Sequence, residues 1–413
     1  MSKQFLSTCQ GLVLFTVIIA SLNFNCSSSN QLLTVINLDN YKTNKLIIEH
    51  SCSDPELYSP CHNGAYSYTK FIRINFHFMN SEDELSNYTR KDGNKVVKQL
   101  LNNANLRLRS NEKMNLPIGN DTEVCQPNYQ YVKQDDHGIN GIFYHYDDEL
   151  CYFANKGEHR NNYDYDVIEK YAVGLDSVIN IFFMPHIPEK MRDKKYKVNN
   201  TGVALGTALK MAGLYESGNE PWTAATLLNH EIGHILGLRH TWNADDRCTD
   251  TPRHSNCWSS TGKGKCEVAS NNVMDYNNSQ MAWSPCQLGL IHKSFSQLES
   301  KQRKLLISNW CDKNMTPLII SDDVIWNQAL DINRDIIIAS GATLTIGCRL
   351  HMAENTSITI EPGAILILQD ARLHNDCGQS WHGIQILKKG KKSGKLVASE
   401  ASSIKHVNAA SSN

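Results

Sequence analysis

The sequence predicts an α+β domain, in which a twisted mixed sheet is joined to one histidine-bearing helix, followed by an all-β region with the repeat of a parallel β-solenoid. Three observations carry this reading. From Phe71 apolar residues alternate at Ile72, Ile74, Phe76 and Phe78, the period of a half-buried strand. His230 and His234 stand four residues apart, the spacing that shares one helical face, and His240 follows closely. After Asn314 the chain is rich in β-branched residues and glycine. There "SGATLTIGCRLHM" (Ser340 to Met352) is echoed by "PGAILILQDARLHN" (Pro362 to Asn375), with Gly341 and Gly363 twenty-two positions apart.

Taken in order, residues 1–26 read as an export signal. Lys3 gives a small positive start, and Gly11 to Phe24 is an apolar run too short to span a bilayer comfortably. Two processing routes stay open: cleavage near Ala20-Ser21, or a lipid anchor on Cys26 with Ser27 to Ser29 as tether. Asn25 is a poor fit to the small residue that the second route prefers. Residues 27–64 are polar, with little periodicity, and read as a tether or short pro-segment. A domain over 65–314 then opens with the strand at Phe71. Asp92-Gly93 marks a linker, after which Val97, Leu100, Leu101 and Ala104 recur at helical spacing. Ile142 to Tyr146 and Val178 to Met184 read as strands, the second stopped by Pro185. The histidine helix starts after Pro221-Trp222-Thr223, with Thr223 as N-cap. Leu228, Ile232, Ile235 and Leu236 give it a buried side. A last helix, Gln287 to Trp310, closes the domain, and His292 on it reads as a packing or surface histidine. Residues 315–413 form the solenoid-like region, with a small β-sandwich as the rival. Ala409 to Asn413 supply no capping element, so an open end is expected and the sequence reads as truncated.

The densest chemical signal is His230-Glu231-x-x-His234-x-x-Gly237-x-x-His240. Gly237 lets the chain leave the helix at a backbone angle other residues resist, and the turn brings His240 round as a third imidazole. Three histidines leave one position of a tetrahedral zinc open, which separates a catalytic site from a closed structural one. Glu231, rotated by one residue, can reach a water at the ion without being a ligand. A core helix that merely carries histidines is the bland alternative, but none of the four chemically necessary side chains is missing.

These residues resemble the extended zinc signature of the metzincin peptidases. Together, "HEIGHILGLRHTW", "TDTP" (Thr249 to Pro252) and "NNVMDY" (Asn271 to Tyr276) are similar to its pappalysin/cytophagalysin branch. The likeness is firm over 223–290, thin over 65–222, and does not reach the last hundred residues. It implies a metzincin-like catalytic domain with one catalytic Zn2+ on His230, His234 and His240, and Glu231 as general base. It also implies a Met-turn at Asn272 to Tyr276, with Met274 a hydrophobic floor rather than a ligand. Tyr276 is then either an oxyanion stabiliser or a buried structural tyrosine. In this family the pocket wall for the residue after the scissile bond follows the Met-turn. Here that stretch, Asn277 to Gln287, holds no acidic residue, which implies a neutral or apolar preference with Met281 and Trp283 as lining. Asp250 resembles a segment that contributes to calcium sites in some relatives; a Ca2+ ligand and a structural residue stay equally open. Metzincin pro-segments block the zinc with a cysteine or carboxylate. Cys52, Asp54 or Cys61 could serve, with a surface disulfide as the other reading of the cysteines.

All cysteines but Cys9 and Cys26 lie beyond the signal, which suits an oxidising, extracellular setting. Cys248, Cys257, Cys266 and Cys286 allow three pairings; the resemblance implies Cys248–Cys266 and Cys257–Cys286. Cys125–Cys151 and Cys52–Cys61 are local candidates, leaving at least one of Cys311, Cys348 and Cys377 unbridged. With 41 basic and 42 acidic residues, no global field favours nucleic acid. The expected function is a secreted or surface-anchored zinc endopeptidase acting on protein or peptide substrates. The alternative is a surface adhesin or glycan-binding solenoid protein with an accessory self-processing peptidase domain.

Overall fold

The computed structural model describes residues 34–41, 52–61, 66, 68–82, 87–135, 140–153, 162–195, 198–216, 220–243, 245–254, 257–258, 266–277 and 279–408. The export-signal reading, with Ala20 and Cys26, lies outside the described residues. No described helix is long and apolar enough to cross a membrane. The chain divides into two compact units, Ser53–Asn309 and a second made of Met1–Cys52 with Trp310–Asn413. Strand β1 (Val35–Asn37) belongs to the second.

Ser53–Asn309 is organised on a seven-stranded mixed sheet. Its strands are β2 (Lys70–Asn80), β3 (Tyr129–Lys133), β4 (Ile142–Tyr146), β5 (Ile179–Met184), β6 (Thr201–Leu205), β7 (Ala208–Ala212) and β8 (Leu306–Ile307). The spatial order is β3-β2-β5-β7-β6, with β4 and β8 also pairing with β2. All pairs are parallel except those of β8 with β2 and of the edge strand β6 with β7. β2 was expected to bury one face, and it buries both. Ile72, Ile74, Phe76 and Phe78 are fully buried on one face, and so are Asn75 and His77 on the other. Most of the polar groups on that face have partners, and Asn75 Nδ2 donates to Val173 O at 3.0 Å. His77 Nε2 meets Asn180 Oδ1 at 2.9 Å, and its Nδ1 meets His145 Nε2 at 2.9 Å.

The helices are α1 (Arg90–Arg109), α2 (Asp166–Tyr171), α3 (Pro188–Met191), α4 (Ala225–Ile235), α5 (Pro285–Phe295) and α6 (Lys301–Lys304). Asp92-Gly93 is not a linker but the first turn of α1, capped by Thr89, whose hydroxyl accepts from Asp92 N. Gly93 is there because α1 crosses the sheet at contact distance: a Cβ would lie 2.2 Å from Tyr144 Oη. The single closing helix expected over Gln287 to Trp310 is two helices. Ser284 and Gln287 form a capping box that starts α5 early, at Pro285. Ser300 caps a new start for α6. His292 Nε2 bonds Pro127 O at 2.7 Å, a packing role as expected.

Residues read as tether also join this unit. A 3₁₀ turn at Pro55–Tyr58 lies against α5, and a Cβ on Gly289 would sit 2.2 Å from Pro55 O. That contact is with backbone, which cannot swing away. Gly289→Ala is therefore expected to destabilise the unit by about 1–3 kcal/mol. Denaturant titration of wild type and variant checks it, and equal midpoints would contradict the packing.

The second unit contains β1 and β9 (Leu318–Ile320), β10 (Val324–Trp326), β11 (Leu330–Ile332), β12 (Ile336–Ile338), β13 (Thr343–Ile346), β14 (Arg349–Met352), β15 (Ser357–Ile360), β16 (Ile365–Leu368), β17 (Arg372–His374), β18 (Gly383–Ile386), β19 (Lys388–Lys389), β20 (Lys392–Ser393), β21 (Lys395–Ala398) and β22 (Ser403–Ile404). Apart from the β19–β20 hairpin, these make three sheets: β9-β12-β15-β18, β10-β13-β16-β21-β1 and β11-β14-β17-β22. Every pair within them is parallel, which a β-sandwich of antiparallel hairpins would not give. The chain visits the three sheets in fixed rotation. The sequence repeat is the register itself: Thr343 pairs with Ile365, 22 positions on, each following a turn glycine at φ +93° or +90°. Leu344, Leu366 and Leu396 stack in one ladder, Ile336 and Ile358 in another, and Leu350 and Leu373 in a third, all fully buried. The chain end read as uncapped, Ala409 to Asn413, lies outside the described residues. Val35 to Asn37 pair with Leu396 to Ala398, so β1 covers the edge of β21.

The cysteines pair differently from the expectations. Cys52–Cys348 and Cys311–Cys377 close the second unit, so none of Cys311, Cys348 and Cys377 is left over. Cys61–Cys125, Cys248–Cys286 and Cys257–Cys266 lie in Ser53–Asn309, and the buried Cys151 stands outside the five bridges. The reason for Cys248–Cys286 is local. Asp250 accepts hydrogen bonds from Ser284 Oγ (2.8 Å) and Cys286 N (3.0 Å), which docks the Cys248 loop on the start of α5.

Candidate active site

The site forms where α4 ends beneath the edge strand β6. Thr223 does not cap α4: it lies in a 3₁₀ turn at Pro221–Ala224, and its hydroxyl donates to Glu220 O at 2.7 Å. The apolar residues Leu228, Ile232, Ile235 and Leu236 are buried, and His230 and Glu231 are buried with them, while His234 is partly exposed. Gly237 at φ +97° ends the helix and turns the chain back. Gly233, between the two helical histidines, is in close contact with Met274. A Cβ there would lie 2.5 Å from Met274 Sδ and 3.2 Å from Trp283 Cη2.

The turn brings the three histidines together. Their Nε2 atoms lie 3.2 Å (His230–His234), 3.0 Å (His234–His240) and 3.3 Å (His230–His240) apart. Nitrogens at about 2.0–2.1 Å from a tetrahedral zinc stand about 3.3–3.4 Å from one another, so the triangle has the size of a zinc face. Two of the rings have fixed tautomers. His230 Nδ1 donates to Val273 O (2.7 Å) and His234 Nδ1 to Leu238 O (3.0 Å), leaving each Nε2 lone pair aimed at the common point. Burial, then the neighbouring imidazoles, lowers His230 to about 4 and His240 to about 3; burial lowers His234 too. All three are held neutral, the form a metal ligand needs. A donor set of three converging neutral imidazoles fits zinc.

Glu231 is buried beside this point, and burial pushes its carboxyl up to about 7 against a hydrogen bond with Ala204 backbone. β6 passes so closely that a Cβ on Gly202 would be 2.9 Å from Glu231 Cγ and 3.2 Å from Oε1. Tyr276 is 53% exposed, which removes the reading as a buried core tyrosine. Its ring lies 4.9 Å from that of His240 and 5.7 Å from that of His230. Burial and the charge of Glu231 raise its phenol, keeping it a donor. Met274, fully buried, underlies the helix as expected. Trp283 is not a lining residue: it is 2% exposed and packs behind α4. Met281 Sδ is taken by Arg107 Nη1 at 3.0 Å.

One residue that sequence reasoning passed over holds the site in place. Asp275, buried beside Met274, accepts from Ser270 and Thr241 hydroxyls and from His254 Nε2 (3.0 Å). Because Thr241 follows His240 directly, Asp275 ties the third histidine's backbone to the turn below it. The signal was present in "MDY" and "HTW", but a lone aspartate in a turn has no spacing rule to betray its partners. The other carboxylate of interest, Asp250, is occupied by Ser284 and Cys286 as described.

Residues 200–296, from β6 to the end of α5, match the peptidase M43 family model, described as pregnancy-associated plasma protein-A. No curated protein matches the chain. Among solved structures, the chain is similar to mirolysin in complex with compound 9, at 17% identity and TM-score 0.42, over 58% of this chain and 97% of that one. It is also similar to Tannerella forsythia mature mirolysin in complex with a cleaved peptide, at 16% identity and TM-score 0.39, over 58% and 97%. A Tannerella forsythia promirolysin mutant matches at 15% identity and TM-score 0.37, over 61% of this chain and 87% of that one.

Proposed function

We propose that this chain, a metzincin zinc metallopeptidase whose residues 200–296 carry the pappalysin family pattern, is an exported endopeptidase with Glu231 as its general base and a parallel β-solenoid appended. The observation that carries the reading is the triangle of neutral Nε2 atoms beside a buried carboxylate. His230, His234 and His240 would hold the ion, which when bound supplies Lewis acidity and brings a water near neutral pKa. Glu231 would serve as the base that accepts a proton from the attacking water and as the acid that returns it to the leaving amine. A carboxyl brought near neutrality by burial can do both. Tyr276, protonated and exposed at the rim, donates to the oxygen on which charge develops.

Export is supported by the five disulfides among the described residues, since such bridges persist in oxidising compartments. The solenoid reading rests on the rotation of the chain through three parallel sheets at the sequence repeat. With Trp283 packed behind α4 and Met281 half-buried against Arg107, the neutral or apolar pocket preference rests on the absence of acidic residues from Asn277 to Gln287.

The test is to incubate the purified protein with a mixed peptide library, with and without a zinc chelator, and map the cuts. Cleavage that disappears on chelation and returns with zinc is expected. Activity that persists without metal, or a library left intact by the zinc-loaded protein, would overturn the reading. Arginine or lysine dominating after the cut would overturn the pocket preference. A second result is expected from Gly202→Ala, whose Cβ intrudes on the Glu231 side chain. A displaced base should lower kcat on the order of 10–100-fold at unchanged zinc affinity. Unaltered kcat would mean that β6 does not position Glu231.

A further inference from the structure

The three histidines are not held alike. His230 and His234 each donate Nδ1 to a backbone carbonyl, whereas no described residue accepts from His240 Nδ1. His240 is also the ligand off the helix, reached through the Gly237 turn, so the helix cannot fix its side chain. What it has is Trp242. The indole lies over the imidazole with ring centroids 3.9 Å apart and planes within 13° of parallel. No other pair at the site is so close or so flat: His240 meets His234 at 85° and Tyr276 at 70°.

Trp242 is itself held from its other sides. Tyr276 packs on it at 4.6 Å and 60°, and Trp258 at 5.1 Å and 67°. The intervening Thr241 is fastened through its hydroxyl to Asp275. The indole is thus a fixed plate, and the imidazole rests on it.

We propose that Trp242 is the positioning residue for His240, fixing by ring stacking the orientation that backbone carbonyls fix for His230 and His234. The proposal rests on the zinc reading above. A flat neutral imidazole gains most from an offset parallel neighbour, and the stack removes rotation about the Cβ–Cγ bond, the freedom that a hydrogen bond removes in the other two. An aliphatic side chain of similar bulk would fill the space without selecting the ring plane.

The experiment measures zinc affinity by competition with a chromophoric chelator, and the visible spectrum of the cobalt-loaded protein, for wild type, Trp242→Phe, Trp242→Leu and Trp258→Ala. Phe keeps a flat ring and should stay within a few-fold of wild type. Leu should lose about 10–100-fold in affinity, as changes to groups that orient metal ligands do, with altered cobalt bands. Trp258→Ala, which removes one neighbour of the indole but leaves Tyr276 against it and the His240 stack in place, should lose no more than a few-fold in affinity. Leu binding like wild type, or Trp258→Ala losing as much as Leu, would overturn the proposal; the second would assign the effect to packing of the aromatic cluster. If Leu fails to fold, a Phe variant with a wild-type fold but Leu-sized affinity loss overturns it equally. A wild type that binds no zinc would instead sink the underlying enzymatic reading, so the two failures are distinguishable.

Discussion

Glu231→Gln is expected to abolish most peptide hydrolysis while leaving the metal in place. The amide is the same size as the carboxylate and can still accept a hydrogen bond from Ala204, so the pocket under β6 should keep its shape. What it cannot do is accept a proton. General acid–base catalysis contributes about 10²–10⁴-fold, and here one group serves for both attack and departure. A fall in kcat of that size is expected, with zinc stoichiometry near one and substrate affinity little changed. Burst-free steady-state kinetics on a fluorogenic peptide, with metal analysis on the same sample, checks it. A variant that keeps wild-type kcat would exclude Glu231 as the base. A variant that loses zinc as well would assign the residue to the architecture of the site. The same variant separates the peptidase reading from the adhesin alternative: a biological effect that survives it does not depend on proteolysis.

The site was legible because its parts are local. Helical spacing brings His230 and His234 to one face, and the positive φ of Gly237 turns the chain so that His240 follows, all within eleven residues of sequence. The repeat was legible for a similar reason: a parallel ladder whose register equals a sequence period prints itself in the chain. What failed was whatever depends on long-range partners. Half-burial was the wrong expectation for β2 because alternation reports one face, and the polar residues on the other found His145 and Asn180 far along the chain. β6 and β7, two strands that complete the cleft edge, carry too few β-branched residues to stand out. β1 is three residues long, and nothing in "VIN" announces a partner beyond residue 390. Disulfide pairing was open for the same reason, since four cysteines offer three arrangements and only the docking of Asp250 on α5 selects among them.

The second large effect is expected in the C-terminal unit, from Asp376→Ala. Arg349 on β14 is buried and reaches two carboxylates, Asp331 Oδ1 at 2.8 Å and Asp376 Oδ2 at 3.1 Å. Asp376 also meets the fully buried His374, and its backbone N–H donates to His351 Nδ1 at 3.1 Å. Removing Asp376 leaves the buried Arg349 with Asp331 alone and takes the carboxylate from beside His374, so the cost should approach the about 3–5 kcal/mol of breaking a buried pair; removing a pair together costs far less. Asp376→Ala should therefore destabilise more than the double variant Arg349→Met/Asp376→Leu. Hydrogen exchange over β14 and β17 would place the loss, and equal protection in wild type and Asp376→Ala would refute the network's importance. The same groups set an acid dependence whose sign follows from their environments. Burial comes first for both histidines, lowering His351 to about 3 and His374 to about 4 from 6.5. The unfolded chain therefore takes up protons below about pH 6.5 that the folded unit refuses until about pH 4 or lower, and stability falls across that window. Burial pushes Asp376 up, but His374 and Arg349 outweigh it and hold the carboxyl well below its ordinary range. Its contribution is present above that range and is lost only at still lower pH. Denaturant midpoints should decline as pH is lowered from 7 towards 4, and a midpoint that rises over that interval would reverse the assignment of neutral, buried histidines.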